Sequence, residues 1–172
     1  MTRPAAPGAW LMAVGAGVAA ALLAPPLAAQ TGRRLQPEAR VDVIAGRSTA
    51  LHAGVGLSRP LGTYVRVGAV AAGGVVTGGS GSVSGGELRA SARGDLLARF
   101  LLDPFLQSRW APYAGGGASA RYDEDGRARG YMVAFVGVEG PPMGGLLPAL
   151  EVGLGGGTRM GVTLRRALEA RR

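Results

Sequence analysis

Twelve side chains able to do chemistry fall on one face of a series of extended segments: Asp42, His52, Arg66, Arg89, Arg93, Asp95, Arg99, Arg121, Glu139, Glu151, Arg159 and Arg165. Four are acids and seven are arginines. A guanidinium is permanently charged and forms forked bonds to carboxylates. If enclosed, these groups must pair with one another, because a buried charge without a partner is strongly unfavourable. The chemistry they imply is a ladder of ion pairs along an inner wall.

His52 is the only histidine. It shares that face with Ser58, Ser91 and Asp42, so a serine–histidine–acid arrangement, as in a lipid-modifying hydrolase, is one alternative. Such chemistry needs the base within hydrogen-bond reach of the nucleophile. Nothing in the local sequence sets a serine beside His52 facing lipid, and the expectation is a hydrogen-bonded histidine without catalysis. Metal chemistry is poorly supported: there is no cysteine, and Asp123-Glu124-Asp125 lacks the spacing and distal glutamate of a calcium loop. The Gly/Ser-rich stretch 73–86 is not followed by a lysine, which excludes a Walker A phosphate loop. No catalytic residue, cofactor or metal is therefore expected.

The elements that must hold these groups are strands. From Leu88 to Leu102, Leu88, Ala90, Ala92, Gly94, Leu96, Ala98, Phe100 and Leu102 alternate with mostly charged or polar residues. A period of two over that length is a long strand with one apolar face. Seven more candidates flank it: 40–46, 49–58, 63–72, 110–122, 131–139, 147–155 and 158–168. Turn chemistry separates them at Arg59-Pro60-Leu61-Gly62, Asp125-Gly126 and Gly140-Pro141-Pro142-Met143-Gly144-Gly145. The expected fold is all-β, an eight-stranded antiparallel up-and-down barrel spanning 40–168, with a C-terminal tail at 169–172. With no cysteine there are no disulfides, so backbone pairing must hold it, and a closed barrel leaves no free edge.

Ahead of the barrel, Arg3, the apolar run Trp10–Leu23, Pro25-Pro26 and the small residues Leu27-Ala28-Ala29 have the layout of a helical signal peptide, 1–29. Residues 30–39 read as a flexible leader. The chain after Ala29 carries 18 arginines, no lysine and 11 acids, or +7. These arginines are spread singly rather than clustered, and export argues further against nucleic acid as a partner.

Alternation alone does not say which face points inward. Gly54, Gly56, Gly68, Gly115, Gly117, Gly137, Gly153, Gly155 and Gly161 share parity with the charges. Glycine weakens a solvated strand, but it gives long arginines room in a lumen that eight strands make only wide enough for side chains. Trp110 and Tyr122 lie on the apolar face, twelve steps apart. At about 3.3 Å per step and about 45° of tilt they span roughly 28 Å, close to an apolar band with its girdles. Phe100, Phe105, Trp110 and Tyr122 are the expected interface aromatics.

The leader, the eight strands and the run Trp110-Ala-Pro-Tyr113-Ala-Gly-Gly-Gly117 resemble the small eight-stranded outer-membrane β-barrel proteins of Gram-negative bacteria. The resemblance covers nearly all of the chain after the leader and implies an outer-membrane location. Members usually end in an aromatic residue, whereas this chain closes on Leu168-Glu169-Ala170-Arg171-Arg172, which implies either a departure from the standard insertion route or a short periplasmic tail. With both ends in the periplasm, loops 73–86 and 123–130 face outward, available to a surface partner. Arg127 and Arg129 stand ready for lipid phosphates there. The expected role is structural or at the cell surface, with outer-membrane lipid and lipopolysaccharide as neighbours and an arginine-plugged lumen. The alternative from a different class is a soluble periplasmic barrel that turns its apolar face inward onto a small apolar ligand.

Overall fold

A computed structural model of the chain describes residues 35–77, 88–105, 107–124 and 126–167. The leader at 1–29 and the tail at 169–172 lie outside the described residues. Eight strands follow one another: β1 Gln36–Ala45, β2 Thr49–Pro60, β3 Val65–Thr77, β4 Leu88–Leu101, β5 Ala111–Asp123, β6 Ala128–Glu139, β7 Leu146–Leu154 and β8 Thr158–Arg166. Each pairs antiparallel with the next, and β8 pairs with β1, which closes the barrel. The fold is all-β, as the period-two pattern predicts.

Three boundaries differ from the sequence reading. Residues 36–39 are not leader: β1 begins at Gln36, and Gln36 pairs with Ser58 while Glu38 pairs with both Gly56 and Arg165. Pro37 tolerates this place because it lies near the strand's start, where the loss of one N–H costs little. The loop expected at 73–86 is shorter, since Gly73 to Thr77 continue β3 against Leu88–Ala92. Of the loop expected at 123–130, Asp123 ends β5 and residues 128–130 begin β6. Gly126 turns this last hairpin with a φ of 77°, and its amide donates to the Asp123 carbonyl at 3.0 Å.

The start of β1 at Gln36 and the end of β8 at Arg166 lie at one end of the barrel, called here the near end. The wall has unequal height. β3, β4 and β5 have 13 or 14 residues, whereas β7 and β8 have 9 each. At the far end β6 pairs with β7 only from Ala134 onward, although its pairing with β5 starts at Ala128.

The faces divide by polarity, with the apolar one outside. Val41, Val43, Leu51, Leu57, Leu96, Met132, Val136, Leu150, Val152, Met160 and Val162 all point outward and are exposed, Met132 to 81%. The alternate positions are buried: Glu38, Arg40, Asp42, His52, Arg93, Asp95, Arg99, Glu151, Arg159 and Arg165 are each 5% exposed or less. The inside is not wholly charged. Val70, Leu97, Tyr113, Val133, Phe135 and Ala149 pack into one inner cluster, and Ile44, Ala50 and Val76 into a second. Lumen-facing glycines make the room. A Cβ on Gly137 would lie 2.5 Å from Tyr113 Cζ, and one on Gly161 would collide with the Asp42 carboxylate.

Candidate functional site

The lumen is crossed by one continuous chain of ion pairs. Starting at the near end, Glu139 accepts from Arg66 Nη1 at 2.6 Å and is also paired with Arg165. Arg165 Nε reaches Glu38 at 3.3 Å, and Glu38 takes both terminal nitrogens of Arg99, at 3.1 and 3.2 Å. Arg99 Nε continues to Glu151 Oε1 at 3.2 Å, where the Tyr113 hydroxyl also donates at 2.7 Å. Glu151 is paired in turn with Arg40, whose Nε grips both oxygens of Asp42 at 2.8 and 2.9 Å.

Asp42 is the hub. Besides Arg40 it receives Arg93 and two bonds from Arg159, each 3.2 Å. Arg159 passes on to Asp95 Oδ2 at 2.7 Å, and Ser119 Oγ donates to Asp95 Oδ1 at 2.6 Å. Six arginines thus face five acids in one connected run, drawn from β1, β3, β4, β6, β7 and β8, with β5 adding the hydroxyls of Tyr113 and Ser119. Strand register sets this up: Glu38 and Arg165 are direct cross-strand partners at the closing seam, and Arg40 and Asp42 lie two residues apart on one face of β1.

A second, smaller group lies toward the far end. His52 Nε2 is 3.2 Å from Ser91 Oγ, which donates to Asp123 Oδ1 at 3.0 Å. Asp123 also pairs with Arg121 Nε at 2.9 Å, and Arg121 stacks over Tyr131 with 5.9 Å to the ring centroid. This is not the order of a catalytic triad. The acid holds the serine rather than the histidine, and His52 Nδ1 has no hydrogen-bond partner among the described residues. Asp42 is committed to arginines, and Ser58 Oγ is turned to the Gln36 carbonyl at 3.4 Å. His52 is wholly enclosed and Ser91 is 6% exposed.

Of the twelve residues read from sequence, Asp42, His52, Arg93, Asp95, Arg99, Arg121, Glu139, Glu151, Arg159 and Arg165 are brought into the lumen. Arg66 joins them at the near rim with its side chain 12% exposed. Arg89 departs from the expectation. It has the right parity, but it is exposed at the far end of β4, beyond Ser91↔Asp123 where the pairing with β5 begins. Its alternation is correct, and its height on β4 leaves it exposed.

Sequence reasoning missed Glu38, Arg40, Tyr113, Ser119 and Asp123. Stepping the period of two back from Asp42 finds Arg40, Glu38 and Gln36 on one face, a signal hidden by the polar, proline-containing composition of 36–39. Tyr113 carries no such signal, because a lumenal tyrosine is read only once Glu151 is placed against it.

The four expected interface aromatics are all exposed on the outer wall or its rims: Phe100 51%, Phe105 68%, Trp110 52% and Tyr122 56%. Three lie at the near end, where Tyr64 stacks on Phe100 with centroids 6.1 Å apart. Tyr122 stands at the far end of β5. In the near-end turn between β4 and β5, Asp103 accepts from the backbone amides of Ser108 at 2.7 Å and Gln107 at 3.1 Å, and these bonds hold its carboxyl below the ordinary aspartate value. No helix among the described residues is long and apolar enough to cross a membrane, which says nothing of strands. Neither a scan against protein-family models nor a search of the curated proteins returns a match for this chain.

Proposed function

We propose that this chain is a barrel of the Gram-negative outer membrane, plugged by its arginine network, with a structural or cell-surface role and no catalysis. The observation that carries the reading is the inverted polarity of the wall. Large apolar side chains are exposed on seven of the eight strands, with alanines exposed on β3, while paired guanidinium and carboxylate groups fill the inside. A protein surrounded by water rarely exposes a contiguous apolar patch beyond a few hundred Å². Surrounded by acyl chains, the same surface is satisfied, and a closed barrel leaves no backbone group unpaired within the hydrocarbon.

The soluble alternative with an apolar ligand inside is disfavoured by the register. The alanine- and valine-rich face is outside, and the Arg–Glu–Asp run occupies the lumen. A hydrolase reading would need the His52–Ser91 pair to meet substrate, and both lie enclosed. The aromatic residues at Phe100, Phe105, Trp110 and Tyr122 fit interface positions. A surface partner would meet the far end of the barrel, and Arg127 and Arg129 would meet lipopolysaccharide phosphates there.

Fractionation with heat-modifiable gel mobility tests the proposal. The expected result is a membrane-fraction protein that migrates faster unboiled than boiled. Recovery in the soluble periplasmic fraction overturns it.

A further inference from the structure

We infer that the outer wall holds one phospholipid in a defined place, with an acyl chain in a groove across β2–β5 and its phosphate on Arg59. This rests on the membrane reading above and deepens it. The groove has a volume of about 550 Å³ and is lined chiefly by Leu35, Leu57, Val67, Ala69, Leu96 and Ala98, with Arg59 and Gly116 at its two ends.

Register explains why a hollow forms here. One cross-strand row runs Arg59–Val67–Ala98–Gly116, and the next runs Leu57–Ala69–Leu96. In the first row the outward side chains dwindle to a methyl at Ala98 and to nothing at Gly116. Leu57 and Leu96, 51% and 66% exposed, form one bank, and the exposed Leu35 also lines the groove.

The direction of the groove is that of a lipid. Cross-strand rows run perpendicular to strands that tilt about 40° from the barrel axis, so a row climbs the wall instead of circling it. Arg59 is next to the last residue of β2, at the near rim. Ala98 is three residues inside the near end of β4, and Gly116 is five inside that of β5. The polar end is therefore at the rim and the bare end deep in the apolar band. Arg59 is exposed and has no acid partner among the described residues, unlike the paired arginines of the lumen. An unpaired guanidinium at the head of an apolar groove complements a phosphate diester. The near end holds both ends of the barrel, which the membrane reading sets in the periplasm, so the occupant is a phospholipid of the inner leaflet and not lipopolysaccharide.

Native mass spectrometry of the full chain, extracted from membranes in mild detergent and mixed with dioleoyl phosphatidylglycerol, tests this. The expected spectrum shows one retained lipid per barrel. Arg59→Gln, at an exposed rim position, lowers the bound fraction about five-fold, and Arg59→Lys keeps most of it. Ala98→Phe and Ala69→Phe each fill the floor from a different strand and abolish retention, so loss of folding in one leaves the other to decide. Val152→Phe, on another part of the wall, leaves retention unchanged. Equal retention in parent, Arg59→Gln and the filled variants overturns the inference. So does a dimer of the parent that Ala98→Phe abolishes, which would assign the groove to a second copy. An inserted barrel that keeps no lipid defeats the groove alone, whereas a chain found in the soluble fraction defeats the membrane reading with it.

Discussion

Replacing Asp42 by asparagine should destabilise the barrel more than any other single neutralisation in its lumen. Asp42 is 1% exposed and receives Arg40, Arg93 and Arg159. Asparagine is nearly isosteric, so packing changes little. It keeps one carbonyl acceptor but turns an amide N–H₂ toward guanidinium groups. Removing one partner of a buried ion pair costs about 3–5 kcal/mol. One retained acceptor argues for the lower part of that range and three stranded arginines for the upper, so a loss of about 4 kcal/mol is expected. With a urea slope of about 1–3 kcal/mol per molar, the unfolding midpoint should fall by roughly 1.3–4 M. The assay is urea titration of the barrel refolded in lipid vesicles, read by heat-modifiable mobility and by tryptophan fluorescence. A paired substitution separates charge from packing. Arg159→Met added to Asp42→Asn removes one of the stranded cations but also its bond to Asp95, so the double variant should lose less than the two single variants summed, a coupling that a double-mutant cycle measures. A midpoint for Asp42→Asn within experimental error of the parent would refute the argument that this carboxylate organises the lumen.

Three further outcomes follow from the same geometry. Leu150→Arg, at the middle of β7 on the outer wall, should cost about 2–4 kcal/mol in vesicles; a neutral effect on urea unfolding would mean that this face meets water. Gly137→Ala pushes a methyl to 2.5 Å from Tyr113 Cζ, and should cost about 1–3 kcal/mol by displacing the ring that donates to Glu151; an unchanged midpoint would show that the lumen has slack there. NMR titration of Asp103 in micelles should find it below the ordinary aspartate value, since the Ser108 and Gln107 amides favour its charged form. Because the folded value is the lower one, this contribution to the turn is present above the unfolded value and fades as pH falls through the folded one. Replacing Ser108 by proline removes one amide, and the titration should move upward; no movement would dismiss the assignment.

The strands and their faces were legible because a period of two is written into each segment. Val41/Val43, Leu51/Val55, Leu96/Ala98 and Met160/Val162 declare the outer wall, and the charges between them declare the lumen. Height was not legible. Whether a strand continues through Gly73 and Gly74 depends on Leu88–Ala92 lying alongside, and glycine composition says only that the segment is weak by itself. The same ignorance misplaced Arg89, whose parity is right and whose level on the wall is not. Partnership was legible only as a balance of signs. That acids and arginines on one wall must pair follows from desolvation, but that Asp42 and not Asp95 receives three guanidinium groups is a consequence of β1 lying beside β8 and facing β4 across a narrow lumen. The first four residues of β1 were hidden because Pro37 and two polar neighbours have the composition of a linker.

The path of the ion-pair run has a consequence for biogenesis. Glu38 and Asp42 arrive at the beginning of the polypeptide, whereas Glu139, Glu151, Arg159 and Arg165 arrive at its end. In the proposed membrane setting, a half-threaded intermediate would carry Arg66 and Arg99 into a hydrophobic slab before Glu139 and Glu151 had emerged. Insertion should therefore proceed by late, concerted closure, with nascent hairpins sheltered until the last one docks. Truncated translation products would be left outside the bilayer, a form of quality control that needs no separate sensor.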